Sequence, residues 1–304
     1  MLQATFKRAV LNGPALVTIA AIGILSIMDG VIKYVAASHG TGQIAMLRYA
    51  IGAVAAGAVF VACRTALPGP SMLRPHLWRS VLVSITALTF FYSLSVLQLA
   101  VALALSFTSP LFIALFAALL LGERPGKSIL LALGLGFAGV LVVLWNELDM
   151  SAGGSLANGP GILAALVSAL TYALAMVTLK SRAARDPIPT IVLLQNAFAC
   201  LWVTPLGAWQ WAPVSMGEMG LFVLIGVLGT AGHLCMAWAY GRADASRLGV
   251  FEYTAFLWAL VIGLVAFSEI PAPSTLAGAA LIAGGALIAS RRSRLQEAEV
   301  EVGP

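Results

Sequence analysis

Five ionisable residues stand inside long apolar runs: Asp29, Lys33, Arg48, His233 and Glu252. A charge near the centre of a bilayer costs about 2.5–3.5 kcal/mol even on the permissive insertion scale, so such residues are the first candidates for chemistry. Asp29 and Lys33 are four apart, which puts them on one helix face and allows an ion pair. Either the pair lines a cavity and engages a zwitterion or a proton, or Lys33 snorkels to the interface and the two neutralise each other. Arg48 offers the planar fork that binds a carboxylate, or it anchors a helix end. His233 is a proton relay or a packing residue. Glu252, between Phe251 and Tyr253, is a proton carrier or amine partner, or pairs with nearby Arg247.

Aromatic residues add a second signal. Phe90, Phe91 and Tyr92 cluster together, and Trp238 lies 146 positions beyond Tyr92. Tyr92 and Trp238 facing each other would give a cavity apolar walls with a polar tip, suited to an aromatic or bulky apolar side chain. The alternative is packing against lipid or core. The candidate substrate-binding set is therefore Asp29, Lys33, Arg48, Phe90, Tyr92, His233, Trp238 and Glu252. Gln195 and Asn196 are assigned to bonding between helices. There is no HExxH, no CxxC and no P-loop, so no metal, no cofactor and no ATP-driven step on this chain is implied.

The elements that position these residues follow from composition. Of 304 residues 61% are hydrophobic and 10% are charged, with a mean hydropathy of +0.98. Soluble domains carry about 25% charged residues. The apolar runs are long enough to cross a bilayer as helices, and the short alternating stretches of a membrane barrel do not appear. Ten spans are expected, near 14–37, 43–63, 77–97, 101–121, 128–146, 159–180, 188–209, 218–240, 247–267 and 273–290. The first is too long for a signal core and contains Asp29 and Lys33, so it is read as a retained helix. Cys63, Cys200 and Cys235 suggest no disulfide framework.

The 17 Lys and Arg residues test that layout. All except Lys33 and Arg48 fall on alternate connections, with Arg64, Arg74 and Arg79 assigned to the second-to-third loop. The opposite connections carry none. The positive-inside rule then places both termini in the cytoplasm. The net charge of +5 needs no nucleic-acid partner.

A repeat underlies the order. At an offset of 146, Glu123 meets Glu269, Pro125 meets Pro271, Thr108 meets Thr254 and Gly139 meets Gly285. Residues 1–150 form a first five-helix unit, residues 151–290 a second, and 291–304 a cytoplasmic tail. Five is odd, so the second unit is inverted in the membrane, an architecture of secondary transporters. The fold class expected is all-α integral membrane, ten transmembrane helices as two inverted five-helix repeats.

The run from Ser109 through Leu115 into Leu121-Gly122-Glu123-Arg124-Pro125, followed by Gly134 to Gly139, resembles the drug/metabolite transporter superfamily, in particular its EamA-type ten-helix exporters. The segment from Phe256 to Pro271, then Gly278 to Gly285, looks like a second copy that lacks the proline, since Phe256 stands where Pro110 does. The resemblance implies efflux of small metabolites, often amino acids, through a central cavity. Length and the aromatic third helix look most similar to bacterial aromatic amino acid exporters. The expectation is a small-molecule exporter in the bacterial inner membrane, surrounded by lipid, monomeric or weakly dimeric, working by alternating access around a cavity lined by spans one, three, four, six, eight and nine. The balance of two cations and two carboxylates favours zwitterionic or neutral cargo over phosphate. The alternatives are a membrane enzyme acting on a lipid or isoprenoid, which needs a metal or acid–base cluster, and a channel or receptor.

Overall fold

The computed structural model describes residues 2–97, 99–147 and 159–268, together with 273, 276–278, 280, 281, 284 and 285. Every regular element among them is helical. Helix α1 spans Leu2–Val35, α2 Thr41–Ala62, α3 Pro70–Val96, α4 Leu99–Ser106, α5 Ser109–Phe116, α6 Lys127–Glu147, α7 Gly159–Ala183, α8 Ile188–Trp209, α9 Met216–Tyr240, α10 Ala245–Gly249 and α11 Thr254–Phe267. Seven stretches among the described residues are long and apolar enough to cross a membrane. The expected tenth span, 273–290, and Glu269 and Pro271 fall mostly or wholly outside the described residues.

Two expected spans are broken rather than continuous. The fourth divides into α4 and α5 at Phe107 and Thr108, and ends in a π-helical turn, Ala117–Leu121. Pro110 explains the first break, because it has no N–H to donate back into α4. The ninth divides at a 3₁₀ turn, Val250–Tyr253, between α10 and α11, with no proline present. What the two breaks share is a threonine. Thr108 Oγ1 donates to the Leu105 carbonyl at 2.9 Å, and Thr254 Oγ1 donates to the Phe251 carbonyl at 2.7 Å. Such side-chain bonds compete with the helical ladder and bend it. Both threonines and both acceptors stand 146 positions apart.

The bundle packs in pairs: α2 lies on α8, α1 on α9, and α3 on α7. Glycines let these helices approach. A Cβ on Gly23 would meet the Trp258 ring, and one on Gly30 would meet Ile262, so α1 needs both to seat α11. The Gly-rich fifth and tenth spans meet too, with Gly285 against the Ala132 carbonyl and Leu135.

Helix α3 starts earlier than expected, at Pro70 in the first turn after Gly69. This moves Arg79 out of the loop to which sequence assigned it and into the bundle, 2% exposed. The burial is tolerable because Nε donates to the Ala175 carbonyl at 3.2 Å and Nη2 to Gln195 Oε1 at 2.7 Å. Gln195 thus bonds between helices, as expected.

Both ends of the bundle are tied across its two halves. At the end where α1 turns into α2, His39 Nε2 lies 3.1 Å from Glu218 Oε1. Beside it, Gln43 donates to the Ala212 carbonyl and accepts from the Ala212 N–H. At the other end, His76 Nε2 lies 3.0 Å from Asp186 Oδ2, which also takes the Arg182 guanidinium. There too Glu123 accepts from the Ala245 and Ser246 N–H groups, so it caps α10.

Candidate functional site

One cavity of about 170 Å³ lies between the halves. Its apolar wall includes Met28, Val83, Phe90, Phe91, Leu103, Phe107 and Met176. The polar groups on it are Asp29, Arg48, Arg79, His233 and Glu252, with Tyr49, Tyr172 and several hydroxyls. Of the eight residues singled out from sequence, the fold brings Asp29, Arg48, Phe90, His233 and Glu252 together here. Four different helices and the 3₁₀ turn carry them.

Three others lie elsewhere. Lys33 faces a separate pocket with Ser215, Glu218 and Phe267, donates to the Leu97 carbonyl at 3.4 Å and sits 5.9 Å from the centre of the Phe267 ring. The helix face shared with Asp29 is thus split between two compartments, one turn being enough to pass the cavity wall. Tyr92 is 39% exposed on the outside of α3, and Trp238 is stacked under the Arg242 guanidinium at 4.3 Å. Neither lines the cavity. The expected facing aromatic pair is therefore corrected: Phe90 and Phe91, just before Tyr92, turn inward instead. Span two also contributes to the lining, through Arg48 and Tyr49, which the expected list of helices omitted.

Arg48 is 3% exposed. Its Nη2 donates to His233 Nε2 at 3.0 Å. A guanidinium has no acceptor, so His233 must accept there and carry its own proton on Nδ1. The guanidinium also covers the Tyr49 ring at 4.3 Å. Its Nε and Nη1 have no hydrogen-bond partner among the described residues. Gly229 makes room for this side chain, since a Cβ there would stand 3.1 Å from Nη2 and 3.0 Å from Met28 Sδ.

Glu252 is held differently. Tyr172 donates to its two carboxylate oxygens at 3.0 and 2.9 Å, and Tyr240 adds a third contact at 3.2 Å. The 3₁₀ turn aims the carboxylate away from the helix ladder and toward α7 and α9. Asp29, by contrast, receives no hydrogen bond from any described residue, although it feels the Arg48 charge.

Sequence reading missed Arg79, Tyr172 and Tyr240. Arg79 was hidden by its neighbours Arg64 and Arg74, which made it look like one more loop cation. The tyrosines carry no charge to stand out in an apolar run, although a lone Glu252 requires donors somewhere.

A model of the EamA-like transporter family matches this chain twice, at residues 11–145 and 159–291. The chain is 28% identical over 290 residues to a pseudopaline exporter of Pseudomonas aeruginosa, covering 93% of this chain and 98% of that protein. A riboflavin transporter of Rhizobium johnstonii is 28% identical over 73% of this chain and 72% of its own length. An S-adenosylmethionine uptake transporter of Rickettsia bellii is 21% identical over 68% of this chain and 69% of its own. A solved crystal structure superposes with a TM-score of 0.74, at 23% identity, over 91% of this chain and 98% of that one, which shows the shared fold. Aromatic amino acid exporters are not among these relatives, and the specific resemblance to that branch finds no support in them.

Proposed function

This chain belongs to the EamA-like transporter family, and from that premise we propose that it exports a small zwitterion, an amino acid with an apolar side chain, by alternating access through the central cavity. The observation that carries this reading is the cavity wall: two guanidiniums and two carboxylates set among phenylalanines and aliphatic side chains. Such a lining compensates both ends of a zwitterion and accepts an apolar remainder. At about 170 Å³ it is smaller than the roughly 300–1,000 Å³ of drug-sized sites, so bulkier cargo needs the halves to part.

Alternating access draws support from the repeat. The family model fits each half separately. The threonine-broken helices recur at 146 residues, and the pairing of α1 with α9, α2 with α8 and α3 with α7 maps onto itself when the halves are exchanged. Two alike halves can trade inward-open and outward-open packings about a midplane site. We assign the end bearing Arg64, Arg124, Lys127, Arg182 and Arg185 to the cytoplasm of a bacterial cell, with the protein acting as a monomer or weak dimer.

The test is purified protein in liposomes loaded with labelled amino acids. Efflux of an apolar amino acid above protein-free vesicles supports the proposal. Transport of a non-zwitterionic solute alone, with no amino acid moving, sinks it.

A further inference from the structure

The four charges of the cavity are not equivalent. Arg79 gives Nε to a main-chain carbonyl and Nη2 to Gln195. Glu252 is met by two tyrosine hydroxyls. These two are held in place by bonds the protein itself supplies. Among the described residues, Arg48 Nε and Nη1 have no partners and Asp29 has no donor. The two unsatisfied groups act on one another's charge without pairing.

We propose, building on the cavity as the cargo site, that Arg48 seats the cargo carboxylate and Asp29 its ammonium, while Arg79 and Glu252 are structural. A buried guanidinium hydrogen left without a partner is costly, and a carboxylate entering the cavity would complete it. The Tyr49 ring beneath and His233 at Nη2 hold the guanidinium plane, which leaves its other donors for a carboxylate. These donors are closed off from water, so cargo reaches them as the cavity walls part. Both cargo-bearing residues come from α1 and α2, so one half of the molecule would hold the charged end of the cargo throughout the cycle.

The experiment compares three probes on the purified full-length protein by titration calorimetry: L-leucine, isopentylamine (no carboxylate) and 4-methylpentanoate (no amine). Wild type should bind L-leucine more tightly than either analogue. Arg48→Gln should lose about 10–100-fold for L-leucine and nothing for isopentylamine, so the two bind alike. Asp29→Asn should equalise L-leucine and 4-methylpentanoate. Arg48→Lys should keep the preference for L-leucine over isopentylamine at reduced affinity, which guards against a variant that merely misfolds. Equal loss for all three probes in both Arg48 variants makes Arg48 structural and overturns this inference alone. Wild type that binds none of the three, with no amino acid efflux from liposomes, overturns the amino acid reading itself.

Discussion

Phe107 and Tyr253, 146 positions apart, bring their rings to 5.8 Å between centroids, each at the break in its own helix. Residues related by a two-fold axis touch each other only near that axis, so under the proposed alternating-access reading the pivot would lie at this contact. Phe256 joins the same cluster, edge-on to Phe107 at 5.8 Å, and fills the position that Pro110 occupies in the first half.

Truncating this cluster should loosen the bundle. Phe107 is 3% exposed, and Phe→Ala in a packed interior costs about 3–5 kcal/mol. Phe107→Ala should therefore lower the melting temperature in detergent markedly. Tyr92→Ala, on the exposed flank of α3, should leave it within a degree or two of wild type, on the order of 0.5 kcal/mol. Equal effects would contradict the placement of the two residues.

The contrast between Phe90 and Tyr92 shows what sequence could and could not deliver. Hydropathy located seven of the expected spans as stretches long and apolar enough to cross a membrane, because a helix must satisfy its own backbone in lipid wherever it runs. The two breaks were not legible: α5 carries a proline, but α10 and α11 are divided by a threonine hydroxyl and a drawn-in glutamate. Rotation about a helix axis was equally opaque. In a bundle apolar on both its core and lipid faces there is no amphipathic stripe to read, so Phe90 and Tyr92 were indistinguishable until packed. Buried charges were the better guide, since Asp29, Arg48, His233 and Glu252 all reach the cavity. Arg79 escaped because a loop cation and a paired core cation look the same in sequence.

Arg79 should prove irreplaceable by lysine. Its two bonds leave in different directions, to α7 and to α8, and an ammonium lacks the planar fork that reaches both. Arg79→Lys should destabilise by about 1–3 kcal/mol, because Gln195 or the Ala175 carbonyl then stays buried without a donor. Thermal melts of Arg79→Lys, Gln195→Leu and the double variant check this. The double variant should cost less than the sum, and strict additivity would show that the two do not interact.

The tyrosines around Glu252 should be worth more together than apart. Hydrogen bonds to a charged group contribute about 1.5–3 kcal/mol each. Tyr240→Phe leaves Tyr172 bridging both carboxylate oxygens, so it should be mild. Tyr172→Phe removes that bridge and should be worse. The pair should exceed the sum of the singles, because it strands a carboxylate in an apolar cavity. Melting temperature reports the order of severity, and a reversed order would place the bridge on Tyr240.

Gly229 offers a way to move Arg48 without touching its charge. A Cβ there would crowd Nη2 and Met28 Sδ, so Gly229→Ala should push the guanidinium off His233 by a few tenths of an ångström. Affinity for transported cargo should fall several-fold, less than the roughly 10-fold or more expected from losing a charge-assisted bond outright. An unchanged affinity with an unchanged melt would mean that Arg48 has slack, and that its position is not set by α9.

The ties at the two ends make the transport cycle itself testable. His39 to Glu218 joins the α1–α2 turn to the start of α9, and His76 to Asp186 joins α3 to the α7–α8 turn. Opening toward either side must break one tie while the other holds. With Cys63, Cys200 and Cys235 replaced, cysteines at 39 and 218 bridged by a short bifunctional thiol reagent should close the first end. Cargo then reaches the cavity from the other side only, so binding persists while net efflux stops, and a cleavable reagent restores it on reduction. Cysteines at 76 and 186 should give the mirror result, with access from the first side alone. A channel would behave differently before cross-linking: its cavity would admit cargo from both sides at once rather than from one side at a time. Retained one-sided binding in both cross-linked forms, with efflux lost in each, is the pattern that alternating access requires. Efflux surviving either bridge would mean that these ties do not lie on the path.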